Sequence, residues 1–425
     1  MFKKLLNEFR IFMECPKNMR MLLQTNMTYA WVLPIVEVFI GAYIMRFSGS
    51  PWMVALYQLA QYAGVATTSV VNGWLLKYFK VAHIYSAGML ILAFSMVGMM
   101  MITNLGALEL IFIGYVMGAA AGFFWTNRYL VTLRSTDDEN RNYFFGIESL
   151  GFTVGSICMP MIVGAALSGL QGAEIFGMTI DISIAYRIVT VAAVLISVFA
   201  CSNILRGTYE NPEQSRFLYF KYHWLWQKMM SLAALKGMVQ GFLVTAPAIL
   251  VMKFLGEEGT LGTIQSISGI LTAILVYLLG RFTKPKHRSA VFAFGLIVFA
   301  VGTVVNGVLF SATGVIVFIL CKVIFQPLHD LAYFPIMLRT IDVVSKLEER
   351  NEYTYIMTHE LGMFVGRTLG LSLFLALAFF GGDDFALKYA LPIVGVLQLL
   401  SLPLAQNIQK DCDKHSAETA PATEA

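Results

Sequence analysis

Residues 206–226 read RGTYENPEQSRFLYFKYHWLW, the longest of the basic loops in this chain. Six apolar runs precede it and six follow, between about Met21 and Leu404. Each is long enough to cross a bilayer, which takes roughly 20 apolar residues in a helix. Irregular backbone cannot face lipid, so a chain of this pattern sits in the membrane as helices. The expected fold is an all-α polytopic membrane protein with twelve transmembrane helices in two six-helix halves. The spans are expected at about 21–45, 53–76, 84–103, 107–133, 142–167, 184–204, 227–253, 261–280, 289–310, 314–338, 353–380 and 385–405.

Composition agrees. Charged residues make up 13% of the 425-residue chain and hydrophobic ones 57%, against about 25% charged in soluble domains. The mean hydropathy is +0.69. The net charge of +4 comes from basic residues at helix ends, so no nucleic-acid partner is implied. Cys15, Cys158, Cys201, Cys321 and Cys412 are scattered, which suggests neither a disulfide framework nor a metal site. Residues 1–20 are charged and amphipathic with no cleavage site after the first apolar run, unlike a cleaved signal peptide. With the N-terminus inside, the inner segments hold 23 Lys and Arg and the outer ends only Arg46, Lys253 and Lys388. That asymmetry places both termini in the cytoplasm. The expected organisation is a cytoplasmic segment 1–20, half one at 21–205, the middle loop 206–226, half two at 227–405 and a disordered cytoplasmic tail 406–425.

The halves repeat. At an offset of 204 residues, Gln61, Lys77 and Lys80 meet Gln265, Arg281 and Lys284. At 205, Leu133-Arg134-Ser135-Thr136-Asp137 meets Leu338-Arg339-Thr340-Ile341-Asp342. At 211, Leu150, Gly151 and Gly155 meet Leu361, Gly362 and Gly366. Internal repeats with a midplane site between them are how many secondary transporters are built. On this plan the chain resembles the major facilitator superfamily over about residues 20–406. The family's motif between helices two and three, G-x-x-x-D-[RK]-x-G-[RK]-[RK], is met by Gly73-Trp74-Leu75-Leu76-Lys77-Tyr78-Phe79-Lys80, with Lys77 in place of Asp. Its second-half counterpart, Leu279-Gly280-Arg281-Phe282-Thr283-Lys284, is equally degenerate. Gly151, Gly155, Pro160 and Gly164 in helix five are similar to the family's antiporter motif, and they also suit plain small-residue helix packing.

The resemblance implies that helices one, four, seven and ten line a central cavity, and the intramembrane polar residues fall largely there. A charge at mid-bilayer costs about 2.5–3.5 kcal/mol on insertion scales, so such residues are internal, paired or wet. Helix one carries Glu37, on a face with Asn26, Tyr29 and Leu33. Helix seven carries Lys236 and Gln240, four apart and on one face. Helix ten carries Lys322, Gln326, His329, Asp330 and Tyr333 as a single stripe. Helix eleven carries His359, Glu360 and Arg367, with the two histidines expected at similar depth. The substrate or proton candidates are Glu37, Lys236, Gln240, Lys322, Gln326, His329, Asp330, Tyr333, Glu360 and Arg367. Asn127 and Arg128 on helix four, Glu148 on helix five and His359 are the gate or ion-pair candidates, with Arg128–Glu148 expected to tie helices four and five. Glu37 has two readings, a substrate or proton site and a fixed salt bridge to Lys236 or Arg367. Lys322 lies near the outer surface, where snorkelling is the plainer reading. Trp125, one turn from Arg128, is carried as a cavity wall.

No nucleotide-binding G-x-x-x-x-G-K-[ST] occurs, and no catalytic triad or metal spacing stands out. The expectation is therefore no enzyme activity, no metal and no cofactor beyond an ion gradient, taken as H+. The expected function is alternating-access secondary transport of a small polar solute by a monomer in a lipid bilayer. The expected location is a plasma membrane of the bacterial inner-membrane kind. The alternatives are a non-transporting sensor or scaffold, a lipid flippase, and a sodium-coupled sugar symporter. The last family shares the loop after helix four, Ser135-Thr136-Asp137-Asp138-Glu139-Asn140-Arg141, and places acids in helix two. Here helix two offers only Gln58 and Gln61.

Overall fold

The computed structural model describes residues 10, 12–102, 106–136, 141–175, 178–211, 219–282, 288–350 and 352–419. The chain runs α1 (Lys17–Tyr29), a π-helical segment (Ile35–Phe39), α2 (Ile40–Ser48), α3 (Pro51–Leu75), α4 (Val81–Met101), α5 (Ala107–Ser135) and α6 (Arg141–Leu170). A two-residue ribbon, β1 (Glu174–Ile175) and β2 (Met178–Thr179), precedes α7 (Ile182–Ile204). Then come α8 (Trp224–Phe254), α9 (Glu258–Phe282), α10 (Arg288–Leu309), α11 (Ala312–Glu348), α12 (Glu352–Gly381), α13 (Asp383–Leu397), a 3-10 turn (Gln398–Leu400) and α14 (Ser401–Thr419). Ten helical stretches among the described residues are long and apolar enough to cross a membrane. The interrupted α1–α2 stretch and the more polar α3 complete the expected twelve.

The first span departs from expectation. It is broken at Ala30–Val32, Pro34 follows, and Glu37 sits in the π-helical segment. Proline removes a backbone donor and clashes with the carbonyl four residues earlier, which breaks the ladder there. The register of α1 therefore does not continue to Glu37. Asn26 and Tyr29 are fully buried while Glu37 is exposed, so the expected common face does not exist. π-segments are frequent at functional sites. Gly49 then closes α2 in the left-handed region at φ 65°, and Pro51 opens α3. Glycine past the end and proline at the start suit these positions.

Two compact units form. One comprises residues 1–49, 60–214 and 257–267; the other comprises 50–59, 215–256 and 268–425. They follow the sequence halves except that each takes a short piece of the other half's second helix. In the first unit, α6 packs on α1 through Gly151 and Gly155, and a Cβ on Gly155 would overlap the Ala30 carbonyl. In the second, α12 packs on α8 through Gly362, Gly366 and Gly370, and a Cβ on Gly366 would overlap the Ala234 carbonyl. Gly151 and Gly155 are matched by Gly362 and Gly366 in the repeat, and they do the same task in each unit: they bring the first and fifth helices of a half into backbone contact. Gly366→Ala is expected to lower stability by about 1–3 kcal/mol, because backbone and not a flexible side chain must move. Thermal unfolding in detergent measures it, and an unchanged midpoint would refute the close contact.

Among the described residues, the loop between α3 and α4 is held by the middle loop rather than by an acid within the motif. Asn211 accepts the Val81 amide at 2.8 Å and donates to the Leu76 and Phe79 carbonyls at 2.7 and 2.8 Å. One side chain thus serves the end of one helix and the start of the next. Asn18 does the same for Thr208, donating to its carbonyl at 2.6 Å and accepting its amide at 3.1 Å.

The expected disordered tail is corrected. α14 carries residues 401–419, and 420–425 lie outside the described residues. Ile408 and Cys412 are buried, Lys228 reaches Asp411 at 2.9 Å, and Arg339 reaches Asp413 at 2.5 Å. Gln406, Lys410, Asp413 and Lys414 form the exposed face of an amphipathic helix whose buried face carries Ile408 and Cys412.

Candidate functional site

The first unit holds a closed polar cluster. Arg128 on α5 donates to Glu148 on α6 through Nε at 2.9 Å and Nη2 at 2.5 Å. Asn26 on α1 donates to the same carboxylate at 2.5 Å, and the Tyr85 hydroxyl on α4 donates to Asn26 Oδ1 at 2.5 Å. The guanidinium also lies 5.2–5.3 Å from the ring centroids of Trp125, Tyr129 and Phe152. Asn127 donates to Asn72 Oδ1 on α3 at 2.7 Å. Arg128 and Glu148 are 8% and 2% exposed. The expected Arg128–Glu148 pair is present. The sequence did not identify Asn26 and Tyr85 as its partners; both are uncharged residues from helices distant in sequence.

The second unit holds an open one. Lys236 on α8 donates to Asp330 on α11 at 2.7 Å, and its ammonium lies 4.1 Å from the ring centroids of Tyr333 and Phe334. Arg367 on α12 donates to Gln240 Oε1 on α8 at 2.7 Å through Nη2 and 3.2 Å through Nε. The glycine contacts described above set this pairing, since they fix α8 against α12 at the same depth. Glu360 is held only at ion-pair range, 3.7 Å from Arg367 and 3.8 Å from His359. The cations are tucked in, with Lys236 and Arg367 side chains 14% and 10% exposed; the acids are not, with Asp330 at 36% and Glu360 at 50%.

The stripe expected on α11 divides. Gln326 is exposed and Asp330 half-buried, while His329 and Tyr333 are buried. A helix face of this width spans two environments, because residues 329 and 330 are about 100° apart. His329 is packed against Phe292, Phe325 and Tyr333, with ring centroids 5.1–5.4 Å away. Gln398 lies 3.3 Å from its Nε2 and Asp330 3.5 Å from its Nδ1. With the Gln398 amide nitrogen donating, the network assigns the proton to Nδ1. His359 bonds the Tyr333 hydroxyl at 2.6 Å. Lys322 is half-buried on α11.

A third pair was missed by sequence reading. Arg46 at the end of α2 grips Glu258 at the start of α9 through Nε and Nη2, each 2.5 Å from a carboxylate oxygen. The Tyr186 hydroxyl on α7 adds a bond at 3.2 Å, and Glu258 is 2% exposed. Beside it, Gly164 on α6 abuts the Glu258 carbonyl and Gly262 abuts that of Pro160. In sequence Arg46 reads as an ordinary helix-end charge, and Glu258 lies in a short polar turn. Neither position carries a signal that they meet.

A multi-pass helical protein with buried ion pairs in both units and carboxylates accessible at mid-span has the make-up of a membrane transporter. The chain belongs to the Major Facilitator Superfamily, whose family model matches residues 22–371. It is 22% identical over 391 residues to the uncharacterized protein YqgE of Bacillus subtilis (strain 168), covering 89% of this chain and 87% of that one. Among solved structures it is similar to the peptide transporter POT in complex with sulfate, at 14% identity and a TM-score of 0.68, covering 94% of this chain and 96% of that one. It is similar also to the nucleoside transporter NupG, at 11% identity and a TM-score of 0.67, covering 92% and 99%. These likenesses show the shared fold.

Proposed function

We propose that the chain is a secondary active transporter that moves a small polar solute by alternating access and couples it to protons. One observation carries the reading. Glu37 is exposed, and the Asp330 and Glu360 side chains are 36% and 50% exposed, all within membrane-spanning helices, Asp330 near the middle of α11 and Glu360 about two turns from the start of α12. Charge facing lipid is costly, so these groups face water, and water reaching mid-span is what a transport path requires. Carboxylates there can take a proton when open to one side and release it to the other. Lys236 and Arg367, tucked behind the acids, supply the charges that balance each state. Arg128–Glu148, with Asn127 beside it, serves as the fixed brace of the first unit, and His359 with Tyr333 as a hinge point of the second. The protein works as a monomer in the plasma membrane, with both termini cytoplasmic.

The test is uptake. Purified protein in liposomes receives an imposed pH gradient and an external metabolite extract, and mass spectrometry reads what accumulates. A compound should be enriched by the wild type only with the gradient, and by neither Glu37→Gln nor Asp330→Asn. Enrichment indifferent to the gradient would sink proton coupling. No enrichment in either gradient direction, from protein shown to be folded, would sink transport.

A further inference from the structure

The ammonium of Lys236 has an unusual seat. Asp330 Oδ1 is 2.7 Å away, and the faces of Tyr333 and Phe334 lie on it with ring centroids at 4.1 Å. A carboxylate and two ring faces together form a box for a cation, since ring faces carry the negative part of the aromatic quadrupole. The box opens on its acidic and aromatic side. Phe334 is 44% exposed and the Asp330 side chain 36%, against 14% for that of Lys236. A solute arriving from water therefore meets carboxylate and ring before it meets the lysine. An anion is repelled there and a cation is attracted. Glu360, half-exposed and held only by contacts of 3.7 and 3.8 Å, lies beyond hydrogen-bond range of both its partners. Its carboxylate is the half-exposed negative charge that can receive the Lys236 ammonium when it leaves the box.

We infer that the box formed by Asp330, Tyr333 and Phe334 is the solute's ammonium subsite, and that Lys236 is a tethered occupant which an amine-bearing solute displaces. The inference rests on the transport reading above and names the solute class: a small molecule with a protonated or quaternary amine. It also gives Lys236, one of the substrate or proton candidates of the sequence, the role of a built-in competitor. Because α8 is pinned at Gly237 against Met363, the lysine competes intramolecularly. Intramolecular competition lowers the solute's apparent affinity by the fraction of time the box is free.

Purified protein is titrated with tetramethylammonium, butylamine, putrescine, glycine and succinate, and binding is read as the concentration dependence of the unfolding temperature. Amines should stabilise the wild type and succinate should not. In Lys236→Met, with the competitor gone, the half-saturating amine concentration should fall about tenfold, as for a box free roughly a tenth of the time. Asp330→Asn should lose the response. Phe334→Leu should weaken it several-fold, and this variant decides the matter if Lys236→Met fails to fold. Succinate as the sole binder, amine binding weakened by Lys236→Met, unchanged amine affinity in Phe334→Leu, or no amine response in the wild type would each overturn the inference. Amine binding of the expected pattern without uptake in liposomes would retire the transport reading alone. Gradient-driven uptake of an anion with amines inert would retire the ammonium subsite alone.

Discussion

Arg128→Met is expected to cost about 3–5 kcal/mol of folding stability, the range for removing one partner of a buried ion pair. The size follows from what is left behind. Glu148 is 2% exposed and, among the described residues, would keep only the Asn26 amide, having lost two charge-assisted bonds at 2.9 and 2.5 Å. Water has little access with which to replace them. Burying an unpaired carboxylate costs far more than forming a good pair gains, so the double variant Arg128→Met/Glu148→Met should be much closer to wild type than either single one. Thermal unfolding of the four proteins in detergent, read as a double-mutant cycle, measures this. Two single losses that simply add in the double variant would show that the residues act independently. The cycle would also separate a brace from a working charge, because a double variant that is stable and still transports has lost only scaffolding.

The contrast between the two units explains what the sequence could and could not disclose. Hydropathy located most of the spans to within a few residues, because lipid imposes apolar surface along a whole helix; α11 and the last helical stretch run on to Glu348 and Thr419, past the expected ends at 338 and 405. The repeat was legible for a related reason: Gly155 and Gly366 are required by backbone contact, and no side chain can stand in for them. Periodicity failed where the helix itself is irregular. Pro34 and the π-segment at Ile35–Phe39 turn Glu37 away from Asn26, and regular spacing cannot foresee that shift. It failed also at the width of a face, since His329 and Asp330 are adjacent yet differently buried. The tail misled because composition reports a helix's solvent side as readily as it reports disorder. Pairings were least legible. Lys236–Asp330 and Arg367–Gln240 join polar residues already singled out, but which meets which depends on the depth at which α8, α11 and α12 are pinned. Arg46–Glu258 joins residues 212 apart that have no local pattern at all.

That last pair carries the second large effect. Arg46→Gln removes the only cation that, among the described residues, bonds a carboxylate 2% exposed, leaving the Tyr186 hydroxyl at 3.2 Å. If the start of α9 stayed packed, the cost would again be about 3–5 kcal/mol. The protein has a cheaper response. Residues 258–267 are second-half sequence held by first-half helices, through this pair and the glycine contacts at Gly164 and Gly262. The alternating-access cycle proposed above requires that hold to be reversible. Lifting the start of α9 would return Glu258 to water, so the lost stabilisation should appear as opening rather than as unfolding. Leu261 reports the difference, being fully buried beside Glu258 in the packed state. In a Leu261→Cys background, Arg46→Gln should raise maleimide labelling at that site by more than about tenfold, the equilibrium change that 1.4 kcal/mol produces. Reversing the pair, with Arg46→Glu and Glu258→Arg together, should restore protection. Loss of folded protein without prior labelling would make the pair a structural clamp. Unchanged labelling with unchanged stability would mean that the grip contributes to neither state, and the reversible hold would then have to lie in the glycine contacts alone.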